Sequence, residues 1–176
     1  VLGEGAYEDG KYGHDCGWLT PLKVRRQGFH AFFAGGAGYT YGHWAVWPFR
    51  GEHCGKTWQA ALDAPGGENI SAVFKDFLVE QDIYALEPDQ SVIRFENTEA
   101  ETMPCSMVDR GGRKILVYFP ERRAVTLVMD KAGAASKGRF KWFDPRNGEE
   151  VNIEENPENR YQPPEEWEDA VLIVEK

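Results

Sequence analysis

The sequence has little with which to hold a polyanion. Twenty lysines and arginines stand against 29 aspartates and glutamates, a formal net charge of −9. A phosphate backbone is held by a basic patch, so an acidic chain is a poor candidate and no nucleic-acid partner is expected. No apolar run approaches the roughly 20 residues that cross a bilayer, and no membrane partner is expected. Cysteine is scarce: Cys16, Cys54 and Cys105 are odd in number and contain no CxxC. They make no disulfide framework, although one pair is able to bridge, so the redox compartment stays open. GxSxG, Walker and HExxH strings are missing. The GGAG at 35–38 follows a helical stretch and leads into a strand, the reverse of what phosphate binding requires, and no cofactor is expected. The chain opens on Val1 rather than methionine, in what reads as the middle of a strand. That suggests a piece of something longer, with any signal peptide lying upstream.

What is present is enough for a core: 176 residues, 41% of them hydrophobic, which fits one ordinary domain or two small ones. The two halves have different grammar. Residues 1–85 read as strand, helix, strand, helix. Val1–Ala6 is a short strand running into a polar loop from Tyr7 to Leu19. Thr20 is an N-cap and Pro21 a first helical residue, and the helix should run to about Ala34, where Gly35 and Gly36 stop it. Leu22, Phe29 and Phe33 form its apolar stripe. Arg26 falls in the same stripe and must pair or snorkel there. Gly38–Tyr41 is a second strand, followed by an aromatic loop over 42–56 and a helical turn over Trp58–Leu62 that breaks at Pro65-Gly66-Gly67. Ile70, Val73, Phe74, Phe77 and Leu78 then mark one face of the clearest helix. Such alternation implies parallel strands joined by right-handed crossovers.

From Leu86 onward the pattern turns to short strands: Ser91–Phe95, Cys105–Val108, Lys114–Phe119, Ala124–Met129, Arg139–Phe143 and Ala170–Val174. Turn residues separate them, and Asn147-Gly148 is a hairpin signal. This argues for an antiparallel sandwich over 86–176, rimmed by a loop through the acidic stretch Glu154–Glu168. The fold class expected is α/β plus all-β. Two parallel strands cannot stand alone, because parallel sheets are buried on both faces and open edges recruit other chains. Residues 1–85 therefore need further strands from elsewhere.

Four clusters carry chemistry. Gly3-Glu4-Gly5-Ala6-Tyr7-Glu8-Asp9 ends the first strand, where parallel α/β folds collect their reactive groups. A glutamate flanked there by glycines suits a nucleophile or general base, and the plainer reading is an ion pair or a solvated carboxylate. Tyr39-Thr40-Tyr41-Gly42-His43-Trp44, continuing to Trp47-Pro48-Phe49, ends the second strand. Its rings suit the C–H faces of sugars and its polar groups suit hydroxyls, while packing against a neighbouring domain is the alternative. His14-Asp15-Cys16 with His53-Cys54 has residue types that bind zinc, but at no ligand spacing, so no metal site is expected. The acidic stretch from Glu149 to Asp169 lacks the arrangement that folds carboxylates around calcium.

The ordered strings GEGAYED (3–9), VRRQGFHAFFAGGAGYTYGHWAVW (24–47), TWQAALDAPGG (57–67), LEPDQSVI (86–93) and KWFDPRNGEEV (141–151) together resemble a family of bacterial glycoside hydrolases. Its members join an apiosidase-like (β/α)8 catalytic domain to a β-sandwich catalogued as a putative collagen-binding domain. The resemblance implies that 1–85 are the last two βα units of a (β/α)8 (TIM) barrel, incomplete alone, and that 86–176 are the accessory sandwich. It implies a carbohydrate substrate, plant or complex polysaccharide, cleaved by two carboxylates. Glu4 best matches the nucleophile position and Glu8 is its rival. Tyr41, His43, Trp44 and Trp47 would line the sugar pocket. The acid/base would come from a barrel strand outside this chain, leaving the missing N-terminal strands as the necessary partner and the chain inactive alone. Secretion or periplasmic export is implied by the family only. The alternatives are a carbohydrate- or collagen-binding module and a purely structural accessory domain.

Overall fold

A computed structural model describes residues 1–10, 18–96, 98–131 and 133–176. The chain divides into two compact units: Val1–Phe32 with Gly36–Val79, and Phe33–Gly35 with Glu80–Lys176. It is a mixed α/β protein with few helices and mostly antiparallel sheets.

In the first unit, helix α1 spans Pro21–Phe33. The Thr20 hydroxyl accepts the Lys23 N–H at 3.4 Å, which satisfies one of the first-turn amides that have no partner within the helix. At the other end Gly35 takes φ +85° and the Gly36 N–H donates to the Ala31 carbonyl at 2.8 Å, the Schellman closure that a glycine makes inexpensive. The buried face of α1 is set by Val24, Phe29, Phe32 and Phe33. The expected stripe was right for Phe29 and Phe33, whereas Leu22 is only half-buried. Beside it, Arg25 rather than Arg26 is the fully buried arginine.

Val1–Ala6 and Gly38–Tyr41 do not form extended strands. They meet through isolated parallel bridges, Leu2 with Tyr39 and Glu8 with His43. Backbone bonds join Leu2 N–H to Gly38 O (2.9 Å), Thr40 N–H to Leu2 O (3.1 Å) and Glu8 N–H to Gly42 O (2.9 Å). Between the bridges a side chain takes over the pairing. The Gln27 amide accepts from the Ala6 N–H at 2.7 Å and donates to the Ala6 carbonyl at 3.2 Å, so both polar groups of that peptide are satisfied without a ladder.

Strands β1 (Glu52–His53) and β2 (Lys56–Thr57) form a small hairpin. The helical turn expected over Trp58–Leu62 does end before Pro65, and the Pro65-Gly66-Gly67 string also begins the next helix. Helix α2 spans Pro65–Asn69, with proline in the first turn where its missing N–H costs nothing. It runs through a π-helical turn, Ile70–Phe74, into α3, Lys75–Glu80. The glycines are there for space. A Cβ on Gly66 would collide with the Glu8 carboxylate, and one on Gly67 would sit 3.0 Å from the Tyr41 ring. Phe74 and Phe77 are buried, and they meet Phe29 at centroid distances of 4.9 and 5.5 Å, ring pairs that fix the helix face on α1.

The second unit contains two antiparallel sheets. The larger, in the order β3-β5-β6-β11-β8-β9, comprises Leu86–Pro88, Cys105–Asp109, Lys114–Phe119, Ala170–Glu175, Arg139–Phe143 and Glu150–Ile153. The smaller, in the order β10-β7-β4, comprises Arg160–Tyr161, Val125–Leu127 and Ile93–Arg94. Both sheets contribute to one core that includes Val117, Phe119, Leu127, Trp142, Tyr161 and Leu172. The Asn147-Gly148 turn joins β8 to β9, with Gly148 at φ +82° and its N–H on the Asp144 carbonyl at 2.9 Å. The stretch expected as a loop, Glu154–Glu168, contains β10, because Tyr161 buries its ring against Phe140 at 5.4 Å. Among the described residues, no helix is long and apolar enough to cross a membrane.

Candidate active site

The two carboxylates at the end of the first extended segment have opposite surroundings. Glu8 is 2% exposed. Its Oε2 accepts the Tyr41 hydroxyl at 2.5 Å, and its Oε1 faces the Gly66 N–H at 3.4 Å. Both oxygens therefore point at protein donors. Glu4 is exposed, and its Oε1 accepts the Tyr7 hydroxyl at 2.7 Å. One of its oxygens is thereby held by a fixed donor while the residue remains open to solvent. A hydroxyl in that place orients the carboxylate.

Tyr7 connects Glu4 to the aromatic segment. Its ring lies 6.3 Å from that of Trp44, and Trp44 stacks on Trp47 at 5.9 Å with planes 8° apart. Gly42 makes room for this arrangement, since a Cβ there would overlap the Tyr7 ring. Trp47 is 62% exposed. Nearby, Phe49 has φ +51°, a conformation that costs a bulky residue on the order of 1–3 kcal/mol and that clusters at functional sites.

His43 is buried, with Nδ1 accepting the Ala45 N–H at 3.1 Å and Nε2 lying 3.4 Å from Asp9 Oδ2. An acceptor at Nδ1 leaves the proton on Nε2. Burial holds the imidazole below its ordinary pKa, against the opposing pull of Asp9 and Glu8. Asp9 also takes Lys56 Nζ at 2.5 Å. Burial first, and then its bond to Glu8, push the Tyr41 phenol well above its ordinary range; burial and the Glu8 charge do the same to Tyr39.

Of the residues singled out in the sequence, Tyr41 and Glu8 are thus brought together, as are Trp44 and Trp47. His43 joins Asp9, and Glu4 joins Tyr7. The sequence reading passed over Tyr7, Asp9, Lys56 and Gly66 as site residues, although the Tyr7 spacing of three from Glu4 was visible. For the zinc-type cluster, His14, Asp15 and Cys16 lie outside the described residues, and Cys54 is disulfide-bonded, so it offers no thiolate. Among the described residues, no group of three or more His, Cys, Asp and Glu side chains is arranged to hold a metal ion.

Comparison with known proteins gives two family matches. Residues 1–85 match the family described as "Apiosidase-like, catalytic domain", and residues 87–175 match "Putative collagen-binding domain of a collagenase". Among solved structures, a glycoside hydrolase family 5 protein from Bacteroides vulgatus ATCC 8482 is similar, at 28% identity and a TM-score of 0.81. The alignment covers 97% of this chain and 39% of that one. Another structure, described as a glycoside hydrolase, is similar at 28% identity and a TM-score of 0.82, covering 97% of this chain and 40% of that one. The chain spans about two fifths of the length of these structures. No curated protein matches it.

Proposed function

Because the chain belongs to the family described as "Putative collagen-binding domain of a collagenase", with an apiosidase-like catalytic match preceding that domain, we propose that it carries part of a glycoside hydrolase active site. Residues 1–85 supply the last two βα units of a (β/α)8 barrel, and 86–176 form the accessory sandwich. The parallel bridges Leu2–Tyr39 and Glu8–His43, with α1 lying between them in sequence, support that reading.

Glu4 is the nucleophile candidate. The observation that carries this choice is the contrast between an exposed Glu4, oriented by the Tyr7 hydroxyl, and a Glu8 enclosed by Tyr41 and Gly66. In a retaining mechanism Glu4 attacks the anomeric carbon while a second carboxylic acid protonates the departing oxygen. We assign that acid to a barrel strand outside this chain, so that the chain by itself turns over no substrate. The substrate is a plant or complex polysaccharide, with Trp44 and Trp47 stacking on sugar faces. His43 and Tyr41 shape the wall, Tyr41 being held by Glu8.

The sandwich has a supporting role in this reading. Trp142, 5% exposed, lies in its core, and Phe143, 3% exposed, is buried as well, so neither offers a stacking platform. The test is Glu4→Gln in the complete hydrolase. Nearly all turnover should vanish with the thermal midpoint unchanged, whereas near wild-type turnover refutes the assignment.

A further inference from the structure

Beyond the Trp44–Trp47 pair, the same segment carries a second ring pair that the hydrolase reading leaves unused. Phe49 and Trp58 lie 5.5 Å apart at 52°, and Phe49 is 66% exposed. Leu62, which follows closely in the chain, is 59% exposed. Large apolar side chains in solvent call for an explanation when they are grouped and held in place. These are held. The β1–β2 hairpin lies between Phe49 and Trp58 in sequence, Cys54 at its turn is disulfide-bonded, and Lys56 ties it to Asp9 at 2.5 Å. Asp9 is the residue that faces His43, so the same anchor that fixes the hairpin reaches the candidate active site.

We propose that Phe49 and Trp58 form a distal sugar-binding platform that holds a polysaccharide chain beyond the units at the reacting bond. Aromatic faces take the C–H faces of pyranose rings, and polar neighbours take the hydroxyls. Arg50, Glu52, Gln59 and Asp63, all exposed, supply such neighbours in this segment. That alternation of rings with charged and amide groups suits a glycan better than an apolar protein face, whose centre is depleted of charge. The inference rests on the hydrolase reading and deepens it, adding a second contact for the polysaccharide away from the reacting bond.

The experiment is affinity electrophoresis of the protein through gels containing soluble xylan, pectin or mixed-linkage β-glucan. Wild type should be retarded by at least one of them. Phe49→Ala with Trp58→Ala should weaken that retardation about tenfold, a loss of one well-made contact, and Phe49→Tyr with Trp58→Phe should restore it. Circular dichroism and a thermal melt accompany each variant. If the double alanine variant does not fold, Trp58→Ala alone is read in its place. Absence of retardation for wild type, or equal retardation of the alanine variant, overturns the proposal. So does a concentration-dependent dimer that the alanine variant abolishes, since a second copy would then cover the rings. Retardation requires no turnover, so a failure here is distinct from a failure of Glu4→Gln in the activity assay.

Discussion

Replacing Tyr41 by phenylalanine removes one oxygen atom and tests the buried node behind the candidate site. That oxygen donates to Glu8 Oε2 at 2.5 Å, and the carboxylate it serves is 2% exposed. The remaining donor, the Gly66 N–H, stands at 3.4 Å on the other carboxylate oxygen. Leaving a buried acceptor without its donor costs about 1–3 kcal/mol, with about 2 kcal/mol as the central expectation. With a denaturant slope of about 2 kcal/mol/M, the urea midpoint should fall by about 1 M. The assay is equilibrium unfolding of wild type, Tyr41→Phe, Glu8→Gln and the double variant. The coupling term should then be about 1 kcal/mol or more, since residues that share one bond do not act additively. A Tyr41→Phe variant as stable as wild type would refute the reasoning, as would full additivity, which would mean that the phenol and the carboxylate act separately.

Three further outcomes are expected. Gly66→Ala should destabilise by about 1–2 kcal/mol, because crowding against Glu8 and Val24 outweighs the gain in helix propensity, whereas Gly3→Ala, with nothing within 4 Å, should be neutral; urea titration reads both. Burial lowers the His43 pKa in the folded state, so its contribution to stability is present above the unfolded value of about 6.5 and is lost as pH falls below it; His43→Gln should flatten the stability profile between pH 7 and 5. Trp142→Ala, which removes a core ring packed on Phe119 at 5.1 Å, should cost about 3–5 kcal/mol in denaturant unfolding.

Local signals made much of the fold legible. Thr20-Pro21 and Gly35 bound α1 as their backbone chemistry demands, and Asn147-Gly148 turns β8 into β9. What escaped the sequence depended on distant partners. Gly66 and Gly67 resemble helix breakers, and only the approach of Glu8 and Tyr41 from 58 and 26 positions earlier explains their place inside α2. Arg160–Tyr161 lies in an acidic, proline-rich stretch whose composition hides a strand, because Phe140 supplies the packing that defines it. At the site, both glutamates were visible in the sequence, and Glu4 was ranked over Glu8 only by resemblance, with no physical distinction between them. That distinction rests on burial, which follows from the Gly66 backbone and the Tyr41 hydroxyl.

The Gln27 side chain, a carboxamide tethered to α1, stands in for a neighbouring peptide at Ala6, accepting at one atom and donating at the other. Glutamate has the same shape but lacks the donor, so its second oxygen would face the Ala6 carbonyl lone pairs. Amide side chains are thermolabile, and deamidation at this one position would substitute repulsion for a bond without changing the outline of the residue. The effect would register in the backbone between Glu4 and Glu8, in the stretch of chain that separates the two carboxylates.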